Sequence, residues 1–146
     1  MSKSNDFETG YLQLVFQNAT LAGIGDATGL RGSTVPGSLY LTLHTADPGE
    51  AGTAITNETA YTGYARQAVV RSGAGWSVVA NSVSPVNNID FPECTAGAGA
   101  AITHFGVVAS VSGAGLLLYK GTLTPNITMA VGVIPRIKNT TTITED

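Results

Sequence analysis

One cysteine, one tryptophan and few charges limit what this chain can be before any pattern in it is considered. The lone Cys94 has no partner for an internal disulfide. No CxxC or closely spaced His/Cys pair offers a zinc ligand set, so Cys94 reads as a small buried side chain. Charged residues make up 12% of the chain, about half the ordinary share, and the surface must be covered by small uncharged polar groups. Seven basic residues are scattered through a chain of net charge -3. They form no Lys/Arg cluster for a phosphate backbone, so nucleic acid is not an expected partner. No stretch reaches about 18 successive apolar residues, and MSKSNDFETGYLQ lacks the apolar core of a signal peptide, so no membrane partner is expected either. The protein is expected to be made and kept in a cytoplasm unless a larger assembly carries it out.

What is present is core-forming material: 43% hydrophobic residues in 146, enough for one compact domain. Asn5 followed by Glu8 has the form of a capping box. Behind it Phe7, Tyr11, Leu14 and Val15 recur at helical spacing, which predicts an amphipathic helix over residues 6–19. The glycines and proline of NATLAGIGDATGLRGSTVPG stop it. From Ser38 the period changes to two, with Leu39, Leu41 and Leu43 on one face and Tyr40, Thr42 and His44 on the polar other. Further β-like runs follow at 64–71, 75–80, 86–91, 102–110, 115–123, 130–138 and 140–144, each bounded by Gly, Pro, Asn or Asp. About eight short strands with no helix between them indicate a mainly β protein, a single antiparallel β-sandwich with one N-terminal α-helix. The Cys…Trp…Cys spacing of immunoglobulin domains is absent, which favours a jelly roll. The expected organisation is an arm over residues 1–37 (helix 6–19 and a flexible Gly-rich linker), the sandwich over 38–138 and a Thr-rich tail over 139–146.

Candidate chemistry is sparse. Asp47, Pro48 and Gly49 fit a tight turn and need no catalytic explanation. His44 and His104 can meet across two strands and, with Asp47 or Glu93, suggest a metal or a base, but neither HxH nor HExxH spacing is present. GIGDATG has the wrong spacing and context for a phosphate loop. No GxSxG elbow occurs, and nothing pairs Glu50, Glu58, Asp90 and Glu93 as glycosidase carboxylates. No catalytic, cofactor-binding or metal-binding residue is therefore expected. A hydrolase built on His44, Asp47 and Glu50 would need those side chains to converge in a pocket, and a glycan-binding groove would need an exposed Trp76 beside Tyr61 and Tyr64.

Taken in order, LYLTLHTADPGEAGT, NETAYTGYARQAVV, NIDFPECTAGAGAAITHFGVVAS and GLLLYKGTLT resemble a family of small tailed-bacteriophage virion proteins, commonly called phage tail fibre proteins. The likeness covers roughly residues 38–138, and the ordered set LHTADPG, GYARQ and ITHFG is its specific part. It implies a non-enzymatic particle component without a cofactor, made in a bacterial cytoplasm and carried on the virion exterior. Small β-sandwich proteins of this size also resemble capsid cement or decoration proteins. The short single domain, with no repetitive shaft and with arms at both ends, points to cement bound to the major capsid protein and to copies of itself. The alternative is a tail-tip or fibre-associated protein, partnered by tail proteins or host surface glycan. The expected partner-contact residues are Phe7, Tyr11, Leu14 and Val15 of the helix, with Tyr64 and Arg66 of GYARQ.

Overall fold

The computed structural model describes residues 2–145. The chain is mainly β, with one N-terminal helix and nine strands among the described residues, paired antiparallel. It divides into two compact units, one made of Met1–Ser38, Val69–Asn88 and Lys138–Asp146, the other of Leu39–Ala68 and Ile89–Ile137.

In the first unit the helix α1 spans Asn5–Gln17. Asn5 is already helical, so the cap position falls on Ser4, whose backbone is extended and whose side chain makes no capping bond. The capping box is thus not formed, and Glu8 is buried instead. The inward stripe is Glu8, Leu12 and Phe16, at the four-residue spacing that stacks side chains on one helix face. Phe16 meets Trp76 edge-to-face at 4.8 Å between ring centroids, and both rings are fully buried. Asn18 ends the helix in the left-handed region at φ 59, a conformation that asparagine tolerates. The Nε and Nη2 of Arg71 donate to the carbonyls of Val15 at 2.7 Å and Leu14 at 2.8 Å, satisfying the last turn from outside the helix.

The stretch read as a flexible linker is a hydrogen-bonded loop. Leu21 and Leu30 exchange backbone bonds of 2.8 and 2.9 Å, and the Asn18 amide bonds both N–H and C=O of Ser33. Three short strands complete the unit: β3 (Trp76–Val79), β4 (Ser82–Pro85) and β9 (Ile143–Thr144), in the order β3-β4-β9. Sequence periodicity misses β4, because SVSP carries one apolar strand residue and a proline. The Thr-rich tail adds β9 to the chain's own sheet, Ile143 opposite Val83. The turn joining β3 to β4 holds Ala80 at φ 53, an unfavourable conformation for an L-residue. Thr9 bonds its carbonyl at 2.9 Å, and Glu145 and Asn81 exchange bonds beside it.

The second unit is built on β1 (Ser38–His44), β6 (Ile102–Val108) and β7 (Leu117–Ile127). With β2 (Gln67–Val70), along which the chain passes from one unit to the other, they form a sheet of order β2-β1-β6-β7. Leu39, Leu41 and Leu43 are buried, as the alternation predicts. Thr42 and His44 on the opposite face are fully buried as well, so β1 is covered on both sides. This corrects the placement of His44 on an exposed polar face: period two identifies faces, and does not say that one of them is wet. The segment VSGAG lies in the loop between β6 and β7, with Gly113 at φ 70. Strands β5 (Ile89–Asp90) and β8 (Arg136–Ile137) make a two-stranded ladder.

Candidate functional site

The motifs that make the sequence recognisable converge inside the second unit. Backbone bonds from Thr45 to Asn57 and from Thr59 to Leu43 lay the NET segment along the end of β1. This brings Glu58 to Arg66, which meets it in a two-point pair: Nε to Oε1 at 2.7 Å and Nη2 to Oε2 at 2.8 Å. The Arg66 side chain is 3% exposed. Its remaining donors hold the β6–β7 loop, reaching the carbonyl and hydroxyl of Ser110 and the carbonyl of Gly113 at 2.9 to 3.0 Å. Tyr64 donates to Glu58 at 2.8 Å and accepts from the Leu43 amide at 3.2 Å. Its ring stacks on Phe91 of the FPE segment and meets Tyr61 edge-on. Burial raises the phenol pKa of Tyr64 far above its ordinary value and that of Tyr61 to about 12. Both phenols are therefore protonated at neutral pH.

Two glycines in these motifs are fixed by close approach. A Cβ at Gly106 of THFG would lie 2.6 Å from the Thr42 hydroxyl and 2.9 Å from the His44 ring. A Cβ at Gly121 of YKG would lie 2.5 Å from the Phe105 ring. Each motif therefore supplies either a bond to a residue of another motif or the space that such a residue occupies.

His44 and His104 are cross-strand partners in the β1–β6 register, as the sequence suggests they can be. Both are nevertheless held by neighbours. His44 donates from Nδ1 to the Thr56 carbonyl and accepts at Nε2 from the Thr42 hydroxyl, each at 2.8 Å. Burial lowers its pKa, and Arg66 and His104 add to the effect against the opposing Thr56 carbonyl and Glu58. His104 bonds the hydroxyls of Thr103 at 2.8 Å and Thr122 at 3.3 Å. Asp47 and Glu50 converge elsewhere, on Lys120 at 3.1 and 3.2 Å. The Asp47 carboxylate also accepts the Gly49 amide at 2.8 Å in the expected turn, and that bond, ahead of Lys120, lowers its pKa. Among the described residues no group of three or more His, Cys, Asp and Glu could hold a metal ion. Among the described residues no helix is long and apolar enough to cross a membrane.

Of the expected contact residues, Phe7, Tyr11, Leu14 and Val15 lie in the first unit and are half-buried, with Phe7 stacked on Tyr11 at 6.2 Å. Tyr64 and Arg66 lie in the second unit and point inward to Glu58. Trp76 is fully buried, and its indole N–H has no hydrogen-bond partner among the described residues. A shallow groove of about 450 Å³ runs past it, walled by Gln17, Ser77, Ser84 and Asn139, without an exposed indole face. Sequence reading missed Glu58, Thr42 and Thr56, whose roles depend on strand pairing, and Arg71, whose role depends on a helix end remote in sequence. The available signal was composition: an arginine inside an apolar strand run of so weakly charged a chain needs a partner.

No curated protein matches the chain. The family described as podophage GP4 fiber I protein gp80 has a model that matches residues 8–144, a span that takes in every motif of the buried cluster, and the chain belongs to that family.

Proposed function

We propose that this protein is a non-enzymatic structural component on the exterior of a tailed-phage particle, working at a fibre with other tail proteins as its partners. The family description over residues 8–144 supports the fibre. The observation that carries the non-enzymatic reading is the engagement of these side chains within the chain: Tyr64 and Arg66 bond Glu58, and His44 bonds the Thr42 hydroxyl and the Thr56 carbonyl. A hydrolase would need His44 to face a substrate beside Asp47 and Glu50. Its ring is fully buried between two threonines. The buried cluster acts as an internal brace, giving a stiff module suited to transmitting load between partners.

Head cement bound to the major capsid protein and to copies of itself is the second reading. The 12% charged content favours it, because weakly charged copies can lie at close quarters on a lattice. A host-glycan role has less support, since Trp76 and Tyr61 are both buried. Copy number by quantitative mass spectrometry of purified particles, with gold-labelled antibody to locate the protein, decides among them. The fibre reading expects a few copies at the tail. Hundreds of copies on the head would replace it with cement, and absence from purified particles would end both.

A further inference from the structure

The register sets two rows of side chains across one face of the four-stranded sheet: Thr42, Gly106 and Lys120 in the first, His44, His104 and Thr122 in the second. Cross-strand partners share a face, and Gly106 leaves the middle of the first row without a side chain. Residues 47–56 are fastened to this face from both sides. The Thr56 carbonyl accepts from His44 of β1 at 2.8 Å, and Asp47 and Glu50 meet Lys120 of β7 at 3.1 and 3.2 Å. At the base of the segment the Thr45 amide bonds the Asn57 carbonyl at 2.8 Å, so it leaves the sheet and returns at one place, as an Ω-loop does.

Little apolar surface holds this loop down. Pro48 and Ala54 are its buried residues, and Ile55, its one large aliphatic side chain, is 51% exposed. The bridges to Lys120 are exposed ion pairs, which contribute little. Two hydrogen bonds add to them: the His44–Thr56 bond, and the Ala54 amide donating to the Gly115 carbonyl at 3.0 Å. Segments with few buried apolar contacts open at lower free energy than the strands they cover. His44 is the tie that a proton can alter near neutral pH. Its ring is fully buried, with Nδ1 committed to Thr56 and Nε2 to Thr42. A second ring proton obliges the Thr42 hydroxyl to turn from donor to acceptor. It also places a cation where Arg66 and His104 already face the ring, with Lys120 next along the sheet. Glu58, the facing carboxylate, has both oxygens held by Arg66. Burial is the main reason that the closed protein prefers the neutral ring.

We infer that residues 47–56 form an acid-released strap: proton uptake by His44 favours a state in which this loop has left the sheet face while β1, β6 and β7 stay paired. In that state water reaches the ring and solvates its charge, which the closed state cannot do. Opening therefore gains as pH falls through the ordinary histidine range. Asp47, kept below the ordinary carboxylate range by the Gly49 amide and Lys120, stays ionised there, so the trigger is the imidazole and not its bridge to Lys120. The inference does not depend on where in the particle the protein sits.

Amide exchange of the purified full chain, followed by NMR at about pH 7.5 and about pH 5.5 and expressed as protection factors, tests it. The Ala54 amide should be at least about tenfold less protected than the amides of β6 at both values, since it is released without unfolding of the sheet. Its protection should fall about five- to tenfold between them, the upper figure being what one proton allows over this interval. In His44→Gln, which cannot titrate, that fall should be absent. Ala54 exchanging as slowly as β6, Ala54 protection independent of pH, or the same fall in the variant overturns the inference. Should His44→Gln fail to fold, the ring resonances of His44 in the parent chain decide. Titration at or above the ordinary histidine value with Ala54 still protected overturns the inference, and a midpoint below it that coincides with the loss of Ala54 protection bears it out.

Discussion

At the scale of single residues, Arg66 ties the second unit together: it joins GYARQ to the Glu58 segment and to the β6–β7 loop through charge-assisted bonds in a nearly dry setting. Such a pair owes little to net Coulomb gain, because desolvation offsets it, but removing one partner strands the other. Arg66→Ala and Glu58→Ala are each expected to lose about 3–5 kcal/mol of stability, and the paired replacement Arg66→Met with Glu58→Leu clearly less than their sum. Urea denaturation of the four proteins measures it, and additive losses would show that the two side chains act separately. His44 gives the residue scale its pH dependence. Its folded pKa is lowered by burial, so the folded state prefers the neutral ring while the unfolded chain titrates near 6.5. The stability held by neutral His44 is complete above that value and lost as pH falls below it toward the folded-state pKa, with a slope of at most about 1.4 kcal/mol per pH unit. His44→Gln should be less stable at pH 8 and should flatten the fall of the urea midpoint just below pH 6.5. An unchanged slope in the variant would assign the acid sensitivity to other groups.

At the scale of elements, α1 shows what periodicity can and cannot supply. Apolar spacing located the helix to within two residues at its far end, and of its apolar positions Leu12 and Phe16 are fully buried while Phe7, Tyr11, Leu14 and Val15 are half-buried. A helix apolar over much of its circumference does not say which stripe faces inward until Trp76 is placed against it. β4 was illegible for a related reason, since Ser82 and Ser84 become strand residues through pairing with β3 and β9. The helix has no basic residue in its last turn, and Arg71 supplies the donors that its terminal carbonyls lack. Arg71→Met keeps the aliphatic stem but leaves the carbonyls of Leu14 and Val15 short of a donor, at an expected cost of about 1–3 kcal/mol. Arg71→Lys should recover only part of this, because an ammonium cannot reproduce a planar fork across two carbonyls. Thermal unfolding followed by far-ultraviolet circular dichroism checks both; a lysine variant as stable as the parent would mean that charge at the helix end suffices.

At the scale of the whole molecule, GYARQ, NET and the end of β1 are parts of one buried cluster, and all of them lie within the residues 8–144 that the family model matches. Partner surfaces leave no such trace here, since Tyr64 and Arg66 stand out in the sequence for their role in the interior. Charge is the whole-molecule property that the structure sharpens further. Of the seven Lys and Arg residues, Lys3, Arg66, Lys120 and Arg136 are in ion pairs with carboxylates. Arg71 donates to backbone carbonyls. Arg31 and Lys138 remain as exposed cations, on a chain whose net charge is -3. Affinity for duplex DNA grows with the number of phosphates that a protein neutralises, each releasing condensed counterions. Two cations and a repulsive net charge predict no retained complex in a mobility-shift assay with duplex DNA at about 0.15 M salt. A salt-sensitive complex under those conditions would require the paired arginines and lysines to exchange their carboxylates for phosphate, and would show up as a steep loss of binding between low and moderate salt.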